Sequence, residues 1–349
     1  MSSMLMLVRR RFAALSSRLV SKRFLSSSGK AGGLRVVVNG VGKDPLEALE
    51  KHVDIVPMDF PNTSNLEDDA VVIKVECAAV HWVDLLMMAG QYQHAPPPPY
   101  SPGMEYSGVV AWAGPKAESV KIGEKVYVDI FSAGPRSYGD YQKYGGFATY
   151  AAAPAAAVHR VPPKLTMAEA ASFCGAYETA HHGLVHSGCV KSGETVLVHG
   201  ATGATGLAAV QICSALGANV IATGGSEEKL DVVRTVGARG KGQIIATHNY
   251  RDDESSLRQV VKDATDGRGV DVVYDTVGGA ALSEESLRSM RFGGRYLVIG
   301  WTSTPFAGGG RAAGADQATA NTIPTNLIMM KGMVYFFAFP FKNISLTTS

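Results

Sequence analysis

Cysteine is scarce in this chain. Only Cys77, Cys174, Cys189 and Cys213 occur in 349 residues, and none stands in a C-x-x-C pair. That excludes a zinc knuckle and a thioredoxin motif, and leaves four single thiols, expected to be buried or partly buried in a reducing compartment. Long apolar runs are also missing. No stretch approaches the roughly 18 residues that would cross a bilayer, and the most apolar segment, 333–339, has only the length of a strand. There are no internal repeats. Acid is absent from the first 43 positions, which carry nine basic residues before Asp44. The 24 basic residues that remain face all 31 acidic ones, so the body has a net charge of −7 against +2 for the whole chain. A basic nucleic-acid footprint on that body is therefore not expected.

What is present begins with the leader. Leu5, Val8, Phe12, Leu15 and Leu19 recur at helical spacing among Arg and Ser. An amphipathic, acid-free start of this kind reads as a transit peptide over residues 1–30, addressed to the mitochondrial matrix, with the plastid as the alternative. A secretory signal would want a longer uninterrupted apolar centre.

The body, with 46% hydrophobic and 18% charged residues, has the composition of a globular protein long enough for two domains. Its character changes near residue 160. Before that point short β-like runs at 34–39, 71–77, 108–112, 125–130 and 147–151 alternate with Gly and Pro, the pattern of a small β-barrel-like domain. After it, strands at 195–199, 219–223, 271–275 and 295–299, with a short one near Ile244 and Ile245, alternate with helices at 205–216 and 227–236. That alternation predicts an α/β domain with a doubly wound parallel sheet, and the near-continuous Val/Ile runs fit strands covered on both faces. Pro96 to Pro99 form a rigid extended spacer, and the Gly/Ala-rich 307–316 reads as a flexible insertion.

The strongest chemical signal is His-Gly-Ala-Thr-Gly-Ala-Thr-Gly at 199–206, after a strand and opening a helix. Gly200 can make the tight turn, Gly203 lets backbone approach a diphosphate, and Gly206 lets the helix pack on the sheet. With Ala204 and Thr205 these residues start a helix whose free N–H groups and positive end suit phosphate. An NAD site places an acid at the end of the second strand to bond the ribose 2′-OH. Here that place holds Thr223, Gly224, Gly225 and Ser226, and Lys229 follows within reach of a 2′-phosphate, so NADPH is the expected cofactor. Glu227 and Glu228 stand nearby and temper the preference.

At these blocks the chain resembles the quinone oxidoreductase, or zeta-crystallin, branch of the medium-chain dehydrogenase/reductase superfamily. The match is carried by Ala78 to Asp84 through Gly90-Gln91-Tyr92, by Pro102 to Val110, by Gly193 to Ala201 through Gly206 to Gln211, and by Tyr274 to Gly279 and Gly293 to Gly300. It covers roughly residues 35 to 340. The resemblance implies a GroES-like catalytic domain over 31–158, a Rossmann domain over 159–349, an active site in the cleft between them, NADPH, and a homodimer or tetramer, here a homodimer, for which 333–339 could be a pairing edge strand. It implies Gly203 and Gly206 on the diphosphate, Ser226, Lys229 and Tyr250 around the 2′-phosphate, Thr179 beside the nicotinamide, Val277 and Gly278 along the cofactor, and the backbone of Val298 to Gly300 on the carboxamide.

Two departures stand out. The family's substrate-side Asn is His81, while Asp84 is kept. The chain also ends at Ser349, some tens of residues before the family's usual return to the catalytic domain, so completion of that domain is expected to be missing. Zinc is expected to be absent: ligands would be wanted near His81, Met104 and Cys174, and methionine is a poor zinc ligand. The expected function is metal-free hydride transfer from NADPH to a small quinone or α,β-unsaturated carbonyl, with His81 and Tyr92 as candidate donors to the developing oxygen and Asp84 ordering them or holding backbone. An enoyl-thioester reductase and a decayed cofactor-binding scaffold are the competing readings.

Overall fold

A computed structural model describes residues 32–92, 95–133, 141, 144–251, 256–300 and 323–337. The leader 1–30 and the Gly/Ala-rich 307–316 lie outside the described residues, as do the last two positions of 333–339. Among the described residues no helix is long and apolar enough to cross a membrane.

The chain divides into two compact units after Ser172, later than the boundary expected at 158. In the first unit, β1 (Gly33–Val38) and β2 (Val53–Met58) form an antiparallel pair, joined through α1 (Pro45–Lys51). Asp44 caps α1 by accepting the N–H of Glu47, and Pro45 supplies a preset first turn. A five-stranded antiparallel sheet follows, made of β3 (Ala70–Ala78), β4 (Tyr106–Ala113), β5 (Lys125–Val128), β6 (Tyr150–Pro154) and β7 (Val158–Arg160), in the order β6-β3-β4-β5-β7. Val71, Ile73, Val110, Val126, Val128 and Ala151 fill its core. Two short helices, α2 (Trp82–Met88) and α3 (Met167–Ala170), complete the unit.

The strand expected at 147–151 begins three residues later. The N–H of Gly146 bonds Gly103 O, that of Phe147 bonds Pro102 O, and that of Thr149 bonds Leu34 O. Those backbone groups are therefore spent on neighbouring segments, and regular pairing with β3 starts only at Tyr150.

The second unit opens with α4 (Cys174–His181), which runs into a π-helical segment, His182–Ser187. A six-stranded parallel sheet follows in the order β10-β9-β8-β11-β12-β13. Its strands are β8 (Thr195–His199), β9 (Asn219–Gly224), β10 (Ile244–Asn249), β11 (Val270–Asp275), β12 (Met290–Val298) and β13 (Val334–Phe337). The crossovers are α5 (Ala204–Leu216), α6 (Glu227–Gly237), α7 (Leu257–Ala264), α8 (Ala280–Ser289) and α9 (Thr325–Lys331). Successive side chains of one strand go to opposite faces. Val196 and Val198 join the core under α5, while Leu197 joins the one under α7 and α8. Gly217, at φ 79°, ends α5 in the left-handed conformation.

Two details differ from the sequence expectations. β12 starts five residues before Arg295; Arg291 and the Gly293-Gly294 pair interrupt the apolar run that marks a covered strand, and Phe292 between them is exposed. Cys189 is exposed, not buried; Cys77 is partly buried, and Cys174 and Cys213 are buried.

Candidate functional site

The sheet order of the second unit reverses between β8 and β11, whose last residues His199 and Asp275 are register partners. In open α/β sheets ligands bind at the carboxyl ends of the strands where the order reverses. The glycine turn leaves β8 at that place. Gly200 has φ 65°, and a Cβ on it would sit 2.5 Å from Thr276 Oγ1. A Cβ on Gly206 would sit 2.2 Å from Gly200 O, so the first turn of α5 can close on the strand only through glycine. Gly203 is different. It is the N-terminal cap of α5, makes no side-chain cap bond, and a Cβ there would meet nothing nearer than Gly200 O at 3.4 Å. Gly203 and Ala204 are exposed there, and the first N–H groups of α5 have no partner within the helix. An anionic diphosphate fits that cradle.

Two buried residues hold the turn in place, and neither was singled out from sequence. His199 is fully buried between Thr223 Oγ1, 3.2 Å from its Nδ1, and Ser286 Oγ, 2.7 Å from its Nε2. Ser286 donates its own proton to Leu282 O, so its oxygen accepts from His199 Nε2, and Thr223 donates to Nδ1. Burial pushes the His199 pKa down, in keeping with this neutral form. Asp275 accepts the N–H groups of Val277 and Gly278, both at 2.9 Å, on one oxygen, and the Tyr296 hydroxyl, 2.6 Å away, on the other. The carboxylate thus shapes the loop that carries Val277 and Gly278. An acid closing an apolar strand run was its only sequence signal. Val298 pairs with Asp275 in register, and the Gly300 N–H bonds Asp275 O, so Val298 to Gly300 run beside the same strand end.

At the end of β9, a Cβ on Gly225 would strike the Tyr250 hydroxyl, which places that exposed ring over the turn. Ser226 begins α6 with no side-chain cap bond. Lys229 is exposed one turn on, and with Thr202, Leu207, Val232 and Val233 it lines a surface depression of about 180 Å³. Among the described residues Lys229 makes no ion pair, whereas Arg234 is held by Glu227 and Asp231. No acid stands between Thr223 and Ser226. Thr179 lies on α4, where its hydroxyl donates to Gly175 O at 2.7 Å; the helix is fixed to α5 by the Tyr177 hydroxyl donating to Gln211.

In the first unit the structure joins His81, Asp84 and Glu105. His81 Nε2 lies 2.5 Å from Glu105 Oε2, and Glu105 is fully buried. Asp84, also fully buried, accepts the His81 N–H at 3.0 Å and the Gly103 N–H at 3.1 Å, so it ties the start of α2 to the loop before β4. Burial of His81 lowers its pKa, but the hydrogen bond and charge of Glu105, helped by Asp84, outweigh this and raise it overall. Tyr92 packs at the margin of an apolar cluster with Val38, Met87, Met88 and Tyr100, and burial raises its hydroxyl pKa. Met104 lies in the same apolar cluster. At two of the three positions the donors do not suit zinc: the His81 nitrogen is taken by Glu105, and Met104 offers a thioether inside a hydrophobic cluster.

Comparison with known proteins agrees with this architecture. Residues 67–163 match the alcohol dehydrogenase GroES-like domain, and residues 204–333 the family described as zinc-binding dehydrogenase. Human quinone oxidoreductase is 34% identical over 238 residues, 68% of this chain and 66% of its own length. A quinone oxidoreductase-like protein 2 homolog of Nematostella vectensis is 31% identical over 277 residues, 79% of this chain and 67% of its own. The chain belongs to the quinone oxidoreductase branch of the medium-chain dehydrogenase/reductase superfamily. It spans slightly less than two thirds of the human relative. The crystal structure of a quinone oxidoreductase from Pseudomonas syringae pv. tomato DC3000 superimposes with a TM-score of 0.67 at 25% identity, over 88% of this chain and 81% of that one. The α/β fold is thus a Rossmann unit with a GroES-like unit.

Proposed function

We propose that this chain is an NADPH-dependent oxidoreductase that reduces a small quinone or α,β-unsaturated carbonyl without a metal. The carrying observation is the open cradle at Gly203, set at the sheet's reversal point and followed by an acid-free β9 end with the exposed Lys229. When bound, NADPH supplies a hydride from its nicotinamide ring. The chain's own part is to hold the nucleotide and manage the proton. The helix start after Gly203 would take the diphosphate on its backbone N–H groups, with Gly203 leaving room for the approach, its own N–H held by Gly200 O, and Gly206 letting the helix close on the strand. Ser226, Lys229 and Tyr250 would take the 2′-phosphate, and a missing carboxylate removes the repulsion an NAD-type site would impose. Thr179, Val277, Gly278, Val298 and Gly300 would border the rest of the nucleotide.

The His81–Glu105 pair retains a proton at Nε2, because the buried carboxylate raises the His81 pKa. A reduced carbonyl oxygen needs such a donor as negative charge develops on it. Tyr92, kept neutral by burial, is the second donor through its hydroxyl. Asp84 holds the backbone of both His81 and Gly103 and positions the pair. The name of the human relative supports a quinone as acceptor. The acid-free leader supports a mitochondrial location, and β13, at the edge of the sheet, supports assembly as a homodimer.

Oxidation of NADPH by full-length protein, followed across a panel of quinones and 2-alkenals with and without a chelator, tests the reading. Turnover that persists in chelator is expected. Absence of turnover with every acceptor from well-folded protein, or its loss on chelation, would overturn it.

A further inference from the structure

Outside these sites, three histidines gather on one turn of the second unit. α4 does not end at His181 but widens into the π-helical segment His182–Ser187, where the Gly188 N–H bonds Gly183 O at 2.7 Å, a span of five residues. In an ordinary α-helix positions five apart lie about 1.4 turns apart and face different ways. The wider winding stacks them. His181 and His186 consequently have ring centres 5.2 Å apart, and His182 and His186, four apart in sequence, 5.7 Å.

Each ring is also underused. Among the described residues none of the three imidazoles has a hydrogen bond to another protein group. His181 and His186 are exposed and His182 is half-buried, so the rings can turn about their side-chain bonds. Two imidazoles on one tetrahedral zinc, with Zn–N of about 2.1 Å, have ring centres about 5 Å apart.

We propose that His186 and one of its two ring neighbours, His181 or His182, chelate a divalent transition-metal ion of the zinc or copper class, with water filling the remaining positions. The site is built by the π-helical widening, and none of its histidines is among the residues assigned to the nucleotide. Among first-row ions it should prefer Cu(II) over Zn(II), the general order for nitrogen donors, and it should ignore Mg(II), which wants oxygen.

The test uses the full chain made without a polyhistidine tag and stripped of metal. Zn(II), Cu(II) and Mg(II) are each titrated in competition with a chromogenic chelator. One equivalent of Zn(II) or Cu(II) and none of Mg(II) is expected for the wild type. His186→Asn should weaken binding by at least about tenfold, since even loss of an outer partner of a metal ligand costs 10- to 100-fold. His159→Asn, at an exposed histidine of β7, should leave it unchanged. If His186→Asn fails to fold, the double variant His181→Asn/His182→Asn and the zinc-induced shift of the His186 ring resonances serve instead. No uptake of Zn(II) or Cu(II) by the wild type, or unaltered affinity in folded His186→Asn or in the double variant, would overturn the proposal.

Discussion

The two candidate regions are built in opposite ways. The cradle of the second unit is one continuous stretch, strand to turn to helix, from Thr195 to Leu216. The proton-holding pair of the first unit joins residues 24 apart, His81 at the start of α2 and Glu105 before β4, with the buried Asp84 tying the two segments together. A site carried by one stretch depends on backbone shape, and glycines decide it. A site assembled from distant segments depends on buried charge, and its partners decide it. Substitutions should therefore fail differently in the two regions.

The largest effect is expected from Gly206→Val. Its first side-chain carbon would meet Gly200 O at 2.2 Å, so α5 must move off β8. Overpacking of this kind costs about 1–3 kcal/mol, and more where backbone is struck. NADPH affinity and melting temperature should fall together, and a variant that keeps both would break the backbone half of the comparison.

Next is Glu105→Gln. It removes the charge that holds His81 protonated, and loss of a buried partner costs about 3–5 kcal/mol, less here because Gln still accepts a hydrogen bond. The pH dependence has a definite sign. His81 has a raised pKa in the folded state, so the pair's stabilisation is fully present below the ordinary histidine pKa of about 6.5 and is lost as pH rises through the raised value. The stability gap between wild type and variant, from urea unfolding, should be widest near pH 6 and below and shrink toward alkaline pH. A gap that grows with pH would show that His81 is not the charged partner.

Gly203→Ala separates folding from binding. Its φ of −90° suits alanine and the nearest atom is 3.4 Å away, so stability should change by no more than about 0.5 kcal/mol. Nucleotide affinity should still fall about tenfold, because the methyl group stands where phosphate would approach N–H groups. The smallest effect is expected from Lys229→Ala: fluorescence titration should show NADPH weakened about tenfold and NADH unchanged, since only the former brings a 2′-phosphate to the exposed ammonium. Equal loss for both nucleotides would move the lysine's role elsewhere.

Much of the second unit was legible because its signals are local. The apolar run 195–199, the glycines after it and Gly217 at the helix end each act within a few residues of themselves, and the structure shows a buried strand, a turn and a left-handed helix stop there. The strand expected at 147–151 was displaced because Gly146 to Thr149 give their N–H groups to β1 and the loop at Gly103, partners that no local pattern announces. Asp275 and His199 stood in the quoted motifs, yet their work as braces depends on Tyr296, Ser286 and Thr223, brought in from other elements. The approach of His181 to His186 escaped notice for a similar reason: spacing of five means proximity only when the helix widens.

By itself the sequence determined that a parallel sheet would form, that a glycine turn would start a helix at its first strand, and that no acid would close the second. Those are properties of neighbouring residues, set by backbone sterics and by which side chains avoid water. Only the tertiary structure decided that Glu105 faces His81, that Asp84 accepts from two backbone segments, and that His199 is buried between Thr223 and Ser286. Each of these rests on burying a polar group beside a partner distant in the chain, and a buried charge finds its meaning only once the surrounding segments have excluded the water that would otherwise solvate it.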